Sequence, residues 1–255
     1  MMTPEAPILI AHRGYAKRFP ENTLVALEAA IEAGACCVEF DVQFTADGVP
    51  VLLHDANLKR TTGTNKRIYS TLWEKVETLL VNDAKAHPKK FAGVGIPMLS
   101  DAVALLSRHP NVQAFVEIKE ETIEALGIET VVRTLVDVCA PIINHSTLIS
   151  TDVLTLRCAR AMGFNTIGWV IGQYDDDALT IATELAPDCL FVNYTKLPDD
   201  IEQLWPGPWQ WALYEVTQAK VALQLAGLGA NYIETMAIAE LLKNPKLKST
   251  ACVVE

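Results

Sequence analysis

The sequence predicts an α/β fold built on eight parallel strands, which is the strand number of a (β/α)₈ barrel. Strand-like apolar runs alternate with helix-like segments along almost the whole chain, and such alternation indicates a parallel sheet. The chain has 255 residues, half of them hydrophobic, which suffices for one barrel or for two small domains. A doubly wound open sheet is the alternative, but the Gly-rich first turn typical of nucleotide binding is missing.

The predicted elements alternate in a regular order. The predicted strands are apolar runs at residues 8–12, 36–45, 112–119, 147–150, 166–171, 189–193, 209–216 and 232–234. The predicted helices comprise residues 23–33, 99–108, 123–139, 153–162, 176–185, 218–228 and 238–243. Asn22 or Thr23 is expected to cap the first helix, because both side chains can accept hydrogen bonds from a helix N-terminus.

Residues 49–54 form a further predicted strand that does not belong to the parallel series. They closely follow the Asp47-Gly48 pair, and a D-G pair favours a tight hairpin turn between antiparallel strands. A parallel neighbour needs a crossover of about a dozen residues or more, for which there is no room here. Setting this segment aside leaves eight parallel strands.

Charged and histidine side chains collect at the ends of the first predicted strands. The group comprises His12, Arg13, Glu39, Asp41, His54, Glu117 and Lys119. Glu39 and Asp41 are two residues apart, so both side chains point to the same face of their strand. An unpaired buried charge is costly, so charges at strand ends indicate a site rather than a scaffold. In barrel enzymes the site lies at the carboxyl ends of the strands.

The same region carries a long ordered string of motifs. It reads A-H-R-G, P-E-N-T, V-E-F-D-V, T-A-D-G, V-L-L-H-D and R-T-T-G within residues 11–63, followed by I-P-M-L-S-D-A-V-A-L-L at 96–106 and V-E-I-K at 116–119. This string resembles the signature of bacterial-type glycerophosphodiester phosphodiesterases. The resemblance weakens beyond about residue 145.

The resemblance implies a fold, a reaction and the roles of several residues. It implies one TIM-barrel domain over residues 1–255 that hydrolyses glycerophosphodiesters, such as glycerophosphocholine, to sn-glycerol 3-phosphate and an alcohol. By the same resemblance, His12 and His54 share proton transfer, with the base and the acid not assigned. Arg13 and Lys119 would bind the phosphoryl oxygens. The nucleophile is either a neighbouring glycerol hydroxyl, giving a cyclic phosphate, or water.

Glu39, Asp41 and Glu117 are the predicted metal ligands. Three converging carboxylates repel one another unless a cation joins them, and oxygen ligands favour Mg²⁺ or Ca²⁺, with Mn²⁺ also suitable. The alternative is a cluster of ion pairs with Arg13 and Lys119. Counting three carboxylates, these two cations and a phosphodiester, one divalent ion brings the site to neutrality. The sequence therefore predicts one divalent cation.

Residues next to these motifs have less certain roles. Residues 56–95 form an insertion that the resemblance associates with the headgroup pocket, so we expect a cap over the barrel mouth; the alternative is a packed excursion around Trp73. A helix cap suffices to explain Asn22. Glu21 is a candidate to orient Arg13, and Asp55 is either a turn residue or a group that orients the site.

Composition limits the partners that the chain is expected to have. The formal net charge is −10, which argues against nucleic acid and anionic membranes as main partners, so we expect a small phosphodiester as substrate. There is no predicted signal peptide or membrane anchor. Six thinly spread cysteines, with Cys36 and Cys37 adjacent in a strand, are expected to be reduced core residues. These features predict a cytoplasmic protein; the oligomeric state is not predictable.

The later part of the chain departs from the family pattern. The stretch Y-E-V-T at 214–217 replaces the usual W-T-V-N-like strand, and I-E-T-M at 233–236 replaces the usual T-D. These residues and Trp169, Trp209 and Trp211 are expected either to contact the alcohol moiety or to be core aromatics.

Two other functions remain open at this point. A lysophospholipase-D-like activity on acylated substrates would need an apolar entrance, for which the insertion offers Leu72, Trp73, Leu79 and Leu80. A non-catalytic phosphate-ester binding protein would be expected to lack part of the histidine and carboxylate set, and all of it is present.

Overall fold

The computed structural model describes residues 6–81 and 91–248. Its strands are β1 (Ile8–Ala11), β2 (Cys37–Phe44), β3 (Pro50–Leu52), β4 (Gln113–Ile118), β5 (Ser146–Ser150), β6 (Ile167–Val170), β7 (Cys189–Asn193), β8 (Gln210–Tyr214) and β9 (Tyr232–Thr235). Its α-helices are α1 (Leu24–Glu32), α2 (Lys59–Thr62), α3 (Trp73–Val76), α4 (Leu99–Leu106), α5 (Glu120–Leu126), α6 (Ile128–Cys139), α7 (Val153–Met162), α8 (Asp176–Leu185), α9 (Ala219–Gly227), α10 (Ile238–Leu241) and α11 (Pro245–Lys248). Short 3₁₀ helices lie at Ile68–Ser70, Ala140–His145 and Tyr194–Lys196.

Eight parallel strands close into a barrel. The order is β1-β9-β8-β7-β6-β5-β4-β2, and β1 also pairs with β2, which closes the ring. At this closure Ile10 pairs with Cys37 on one side and with Glu234 on the other, in parallel in both cases. The predicted (β/α)₈ TIM barrel is confirmed.

The extra strand is antiparallel, as predicted from the D-G turn. In β3, Leu52 pairs with Val42 of β2, and Pro50 pairs with Phe44. Pro50 is tolerated because β3 is an edge strand, on which one row of N–H groups is not needed for pairing. The hairpin carries the chain past the carboxyl end of β2 and brings His54 to the barrel mouth.

One predicted helix is two helices in the structure. The predicted helix at 123–139 is divided at Gly127, which has a φ of 81° and follows the end of α5 directly before α6 begins. A left-handed backbone cannot continue a right-handed helix, and glycine adopts it without strain. The hydrophobic periodicity on either side concealed this break.

The barrel interior is apolar at its base and charged at its carboxyl end. A small core of inward-facing residues fills the base, consisting of Ile10, Cys37, Phe115, Ile149, Cys189, Phe191 and Ala212. Strand side chains alternate, so Glu39 and Asp41 lie on the same face as Cys37, and Glu117 lies on the same face as Phe115. The apolar layer therefore forms the floor beneath a layer of carboxylates.

The insertion has a small core of its own. Leu58, Ile68 and Val76 of the insertion are buried against the flanking residues Val51, Leu53 and Ile96. Trp73 and Leu79 are partly buried and pack against this cluster. Residues 82–90 of the predicted 56–95 insertion lie outside the described residues. The packed excursion that we considered is therefore present, although Trp73 lies at its side rather than at its centre.

Most of the cysteines in the described residues are unpaired. Cys37, Cys139, Cys158 and Cys189 are free thiols, as predicted. Cys36 is disulfide-bonded, so the prediction of a reduced thiol at that residue was wrong.

Within residues 6–81 and 91–248, no helix combines the length and the apolar character that crossing a bilayer requires.

Candidate active site

The turn after β1 presents His12 and Arg13 to the barrel mouth. Arg13 has a φ of 55° and Gly14 a φ of 76°, so the chain turns sharply through two left-handed residues. A Cβ on Gly14 would lie 2.5 Å from the carbonyl carbon of Ala26, so only glycine lets α1 pack this closely. The His12 side chain is buried, and burial together with the positive charge of Arg13 lowers its pKa to about 3. His12 is therefore neutral at pH 7.

Asp41 is fully buried at the carboxyl end of β2 and is held from several sides. Asn22 donates to its Oδ2 from Nδ2 at 2.7 Å and accepts from its backbone N–H at 3.0 Å. Thr23, not Asn22, caps α1 by accepting from the backbone N–H of Ala26. The helix-cap explanation for Asn22 was therefore wrong, because its side chain is committed to Asp41.

Two cations also contact Asp41. Lys119 Nζ lies 2.6 Å from Asp41 Oδ1, and Arg13 Nε lies 3.1 Å from Oδ2. Burial alone would raise the pKa of Asp41, but Lys119 and Arg13 outweigh it and hold the pKa well below its usual range. Lys119 Nζ also forms an ion pair with Glu117. The ion-pair cluster that we considered is thus present.

Glu39 differs from Asp41 because no lysine or arginine side chain among the described residues forms an ion pair with it, and the charge of Arg13 compensates it only in part. It is 0% exposed; its Oε2 accepts from the backbone N–H of Arg13 at 2.9 Å, and its Oε1 has no hydrogen-bond partner. Burial and the neighbouring Asp41 and Glu234 carboxylates raise its pKa well above the usual value. A fully buried carboxylate without a lysine or arginine partner requires either a proton or a bound cation.

Glu234 is a member of the cluster that the sequence did not predict. Glu234 lies on β9, is 4% exposed, and its Oε1 is 3.1 Å from His12 Nε2. Burial and the neighbouring Glu117 raise its pKa well above the usual value. The signal was available, since Glu234 is a carboxylate at the carboxyl end of a predicted strand. We had associated that stretch with the alcohol moiety instead.

Two overlapping groups of side chains have the geometry of a cation site. The ligand atoms of Glu39, Asp41 and Glu117 lie within 4.8 Å of one another, and so do those of His12, Glu39 and Glu234. The first group offers only oxygen, which suits Mg²⁺ or Ca²⁺, and it includes the unpartnered Oε1 of Glu39. The residues that the sequence predicted as ligands therefore fit a hard divalent cation.

His54 reaches the same mouth from the loop after β3. Its Nδ1 lies 2.7 Å from Asp55 Oδ1. Arg60 and His54 outweigh the effect of burial and lower the pKa of Asp55 to about 2. An ionised carboxylate can only accept, so His54 Nδ1 carries a proton and Nε2 is left for other partners. Asp55 therefore orients His54.

Glu21 contacts Arg13, as expected for a residue that orients it. Arg13 Nη1 donates to Glu21 Oε1 at 3.0 Å, and Arg60 donates to both oxygens of Glu21, at 2.7 and 2.8 Å. These contacts with Arg13 and Arg60 lower the pKa of Glu21 despite its burial. Arg60, the first residue of the R-T-T-G motif, contacts both Glu21 and Asp55.

A cavity of about 570 Å³ opens beside these groups. It is lined by His54, Asp55, Ala56, Asn57, Arg67, Glu117, Lys119, Glu120, Glu121, Glu124 and Thr151. The insertion thus contributes Asn57 and Arg67 to a cavity that also contains Glu117 and Lys119, which supports the expected position at the barrel mouth. His54 does not touch the carboxylate cluster through any of the hydrogen bonds or ion pairs above, but it shares this cavity with Glu117 and Lys119.

The late aromatic residues divide between the core and the site. Trp169 belongs to the core between strands and helices, where its Nε1 donates to the carbonyl of Thr151, and Trp209 and Trp211 are also core residues. The core alternative is therefore confirmed for these three tryptophans. Tyr214 is half-buried, and its pKa is raised by burial and then by Glu234 and Glu117. The charge of these carboxylates thus reaches Tyr214, which packs against the apolar residues at the barrel base.

Comparison with known proteins identifies the family. The family model for the glycerophosphoryl diester phosphodiesterase family matches residues 12–168, which contain strands β2 to β5 and every predicted site residue from His12 to Lys119. The chain belongs to the glycerophosphoryl diester phosphodiesterase family. The resemblance found in the sequence motifs is thereby confirmed.

Two curated relatives show how far the similarity extends. The chain is 36% identical over 121 residues to the uncharacterized protein YqiK of Bacillus subtilis, covering 48% of this chain and 49% of that one. It is 41% identical over 118 residues to glycerophosphodiester phosphodiesterase 1 of Bos taurus, covering 46% of this chain and 35% of that one. The matches thus span half or less of these relatives' length.

Solved structures extend the similarity of the fold to nearly the whole chain. A phosphodiesterase of Oleispira antarctica, solved with the product sn-glycerol-3-phosphate, has a TM-score of 0.81 at 23% identity, covering 93% of this chain and 96% of that one. A glycerophosphoryl diester phosphodiesterase of Silicibacter pomeroyi, described as putative, has a TM-score of 0.80 at 18% identity, covering 98% and 96%. At these identities the likeness establishes the fold.

Proposed function

We propose that the chain hydrolyses glycerophosphodiesters to sn-glycerol 3-phosphate and an alcohol. The observation that carries this proposal is the convergence at the barrel mouth of Glu39, Asp41 and Glu117 with Arg13 and Lys119. This arrangement offers an anionic cation site directly beside two side chains that can bind phosphate oxygens. Membership of the family and the product bound to the Oleispira antarctica relative support the choice of substrate.

Glu39, Asp41 and Glu117 would hold one divalent cation, Mg²⁺ or Ca²⁺, with Mn²⁺ as a further candidate. When bound, this cation would stabilise negative charge on the phosphoryl group. Glu234 adds a fourth carboxylate to the three counted in the sequence analysis. Burial and Glu117 raise the pKa of Glu234, and the proposal of one ion rests on the grouping of Glu39, Asp41 and Glu117.

The two histidines suit different roles in proton transfer. His12 is buried and neutral, so it can accept a proton from the nucleophile. His54 lines the open cavity, and its contact with Asp55 fixes a proton on Nδ1, which leaves Nε2 as the ring atom that can pass a proton to the leaving alkoxide. We therefore assign His12 as the base and His54 as the acid.

Arg13 and Lys119 would bind the phosphoryl oxygens. Arg13 contacts Asp41 and Glu21, and Lys119 contacts Asp41 and Glu117, but each has donors left, since lysine has three N–H groups and arginine has five. Asp41 and Glu117 thus hold the two cations in place without using all their donors. The nucleophile is either a neighbouring glycerol hydroxyl or water, and detection of a cyclic glycerophosphate would distinguish them.

The cavity would hold the alcohol moiety of the substrate. Of the four residues considered for an apolar entrance, Trp73 and Leu79 pack into the insertion's core, and Leu72 and Leu80 are exposed but do not line the cavity. We therefore do not propose an acylated substrate. A binding protein without turnover is not favoured either, because the chain has both histidines and all three carboxylates of the proposed site.

Two broader proposals accompany this function. We infer one domain over residues 1–255, supported by the continuous barrel from β1 to β9. A cytoplasmic location is supported by four free thiols and opposed by the disulfide at Cys36, so fractionation of expressing cells is needed to decide it.

The proposed function can be tested by product release from stripped protein. Protein treated with EDTA is mixed with glycerophosphocholine, and glycerol 3-phosphate is assayed with and without Mg²⁺, Ca²⁺ or Mn²⁺. We expect metal-restored release in wild type, a loss of about 10²–10⁴-fold in His54→Ala, and no loss in His109→Ala, a histidine outside the site. Release that is indifferent to EDTA and to His54→Ala would overturn the site assignment.

A further inference from the structure

Arg60 occupies a position between two carboxylates that each hold a proposed catalytic group. It lies on α2, at the start of the insertion. Its Nε and Nη2 donate to the two oxygens of Asp55 at 2.7 and 3.0 Å. Its Nη1 and Nη2 donate to the two oxygens of Glu21 at 2.8 and 2.7 Å. One guanidinium therefore makes two bidentate contacts, a geometry that lysine cannot reproduce.

Each of these carboxylates reaches a different part of the site. Asp55 accepts from His54 Nδ1 at 2.7 Å, and Glu21 accepts from Arg13 Nη1 at 3.0 Å. His54 follows β3, whereas Arg13 follows β1, so the two groups are carried by separate elements. Arg60 is the side chain among the described residues that contacts both carboxylates.

We propose that Arg60 is a positioning residue that fixes His54 relative to Arg13, and so sets the distance between the proton donor and the phosphate-binding cation. This inference rests on the proposed function. Without Arg60, Asp55 and Glu21 would face each other as two carboxylates with no cation between them. Their repulsion would separate the His54 loop from the turn that carries Arg13.

A different effect is expected if Arg60 only anchors the insertion. The Arg60 side chain is 47% exposed, and ion pairs at such exposure contribute about 0–1 kcal/mol to stability. A purely structural Arg60 would therefore change the melting temperature slightly and leave turnover unchanged. A positioning Arg60 would lower kcat much more than stability, because small displacements of catalytic groups are costly.

The kinetic test compares Arg60→Ala and Arg60→Lys with Arg133→Ala. Arg133 is a matched control, since it forms an exposed ion pair with Glu129 on α6. We expect kcat with glycerophosphocholine to fall about 10- to 100-fold in Arg60→Ala, with a smaller change in KM, and to stay low in Arg60→Lys. Millimolar guanidinium chloride should partly restore Arg60→Ala and should not affect Arg133→Ala. Unchanged kcat in folded Arg60→Ala would overturn the proposal.

A second readout does not depend on turnover. The ¹⁵N resonances of the His54 ring, assigned with His54→Gln, report which nitrogen carries the proton at alkaline pH. We expect the Nδ1–H form in wild type and in Arg133→Ala, and a mixture of both tautomers in Arg60→Ala. The same tautomer in all three proteins would overturn the proposal. If wild type hydrolyses no diester, the proposed function fails, and the tautomer result alone decides the role of Arg60.

Discussion

Two hydrogen bonds join Asn22 to Asp41. The Asn22 amide donates to the Asp41 carboxylate and accepts from the Asp41 backbone N–H. Asn22 itself has a left-handed backbone, with a φ of 56°. Asparagine tolerates this conformation better than most residues, and its amide offers both a donor and an acceptor. Asparagine therefore suits position 22 for two reasons, its hydrogen bonds with Asp41 and the left-handed backbone of the turn.

We expect Asn22→Ala to lower the free energy of unfolding by about 1–3 kcal/mol, because the buried N–H of Asp41 loses its acceptor. Asn22→Gly should lose less, since glycine removes the strain of the left-handed backbone. Asn22→Asp should be the least stable, because it places a second carboxylate against Asp41. Urea denaturation of the three variants checks the order. Equal stability of Asn22→Ala and wild type would show that these two hydrogen bonds do not stabilise the fold.

Replacing Glu39 with glutamine should abolish stabilisation by the cation without lowering the stability of the metal-free protein. The pKa of Glu39 is raised by burial and by neighbouring carboxylates, so its ionised form destabilises the metal-free fold at pH 7. We expect metal-free Glu39→Gln to be at least as stable as metal-free wild type. Added Mg²⁺ or Ca²⁺ should then raise the melting temperature of wild type and not of the variant.

Glu129→Gln, at an exposed position on α6, is the control for the loss of a carboxylate, and it should respond to the cation as wild type does. A melting temperature of wild type that is unaffected by Mg²⁺, Ca²⁺ and Mn²⁺ would argue against the carboxylate site.

Asp55 should make stability depend on pH in the acidic range. Its pKa is lowered from 3.8 to about 2 in the folded chain, where Arg60 and His54 outweigh burial. The stabilisation from a lowered pKa is complete above the unfolded value and is lost as the pH falls through the folded value. The difference in unfolding free energy between wild type and Asp55→Asn should therefore shrink from pH 4 towards pH 2.

Denaturant titrations at several pH values measure this difference, with the exposed Asp137→Asn as a control that should show no comparable trend. A difference that grows on acidification would have the wrong sign for an ion pair.

Gly14 should tolerate no side chain, in contrast to Gly48. Both have a positive φ, 76° and 82°, but a Cβ on Gly14 meets the backbone of Ala26 at 2.5 Å, whereas nothing lies within 4 Å of a Cβ on Gly48. Gly48→Ala measures the conformational cost alone, about 1 kcal/mol. Gly14→Ala should cost about 1–3 kcal/mol more because the turn must separate from α1. Thermal denaturation of both variants tests this, and equal losses would show that the contact is unimportant.

The parts of the fold and site that the sequence predicted follow from local patterns. Alternation of strands and helices indicates a parallel barrel, and the two-residue period of a strand places Glu39 and Asp41 on one face. The Asp47-Gly48 turn indicates the antiparallel hairpin through its short connection. These relations involve residues close in sequence, so they are visible without a structure.

The relations that the sequence did not reveal join distant residues. Arg60 lies 39 positions from Glu21, and its double contact depends on how the insertion packs. Asn22 was interpreted as a helix cap because that explanation is local, whereas its partner Asp41 lies on the next strand. Glu234 was missed as a partner of His12 because β9 and β1 become neighbours only when the barrel closes.

The most direct test of the account is to follow glycerophosphocholine by ³¹P NMR during incubation with the protein and Mg²⁺. The account predicts that the diester resonance is replaced by that of sn-glycerol 3-phosphate, with free choline formed in equal amount and no conversion in EDTA. Formation of phosphocholine would mean that the other ester bond is cleaved. That result, or a diester resonance unchanged with Mg²⁺, Ca²⁺ and Mn²⁺ in folded protein, would contradict the account.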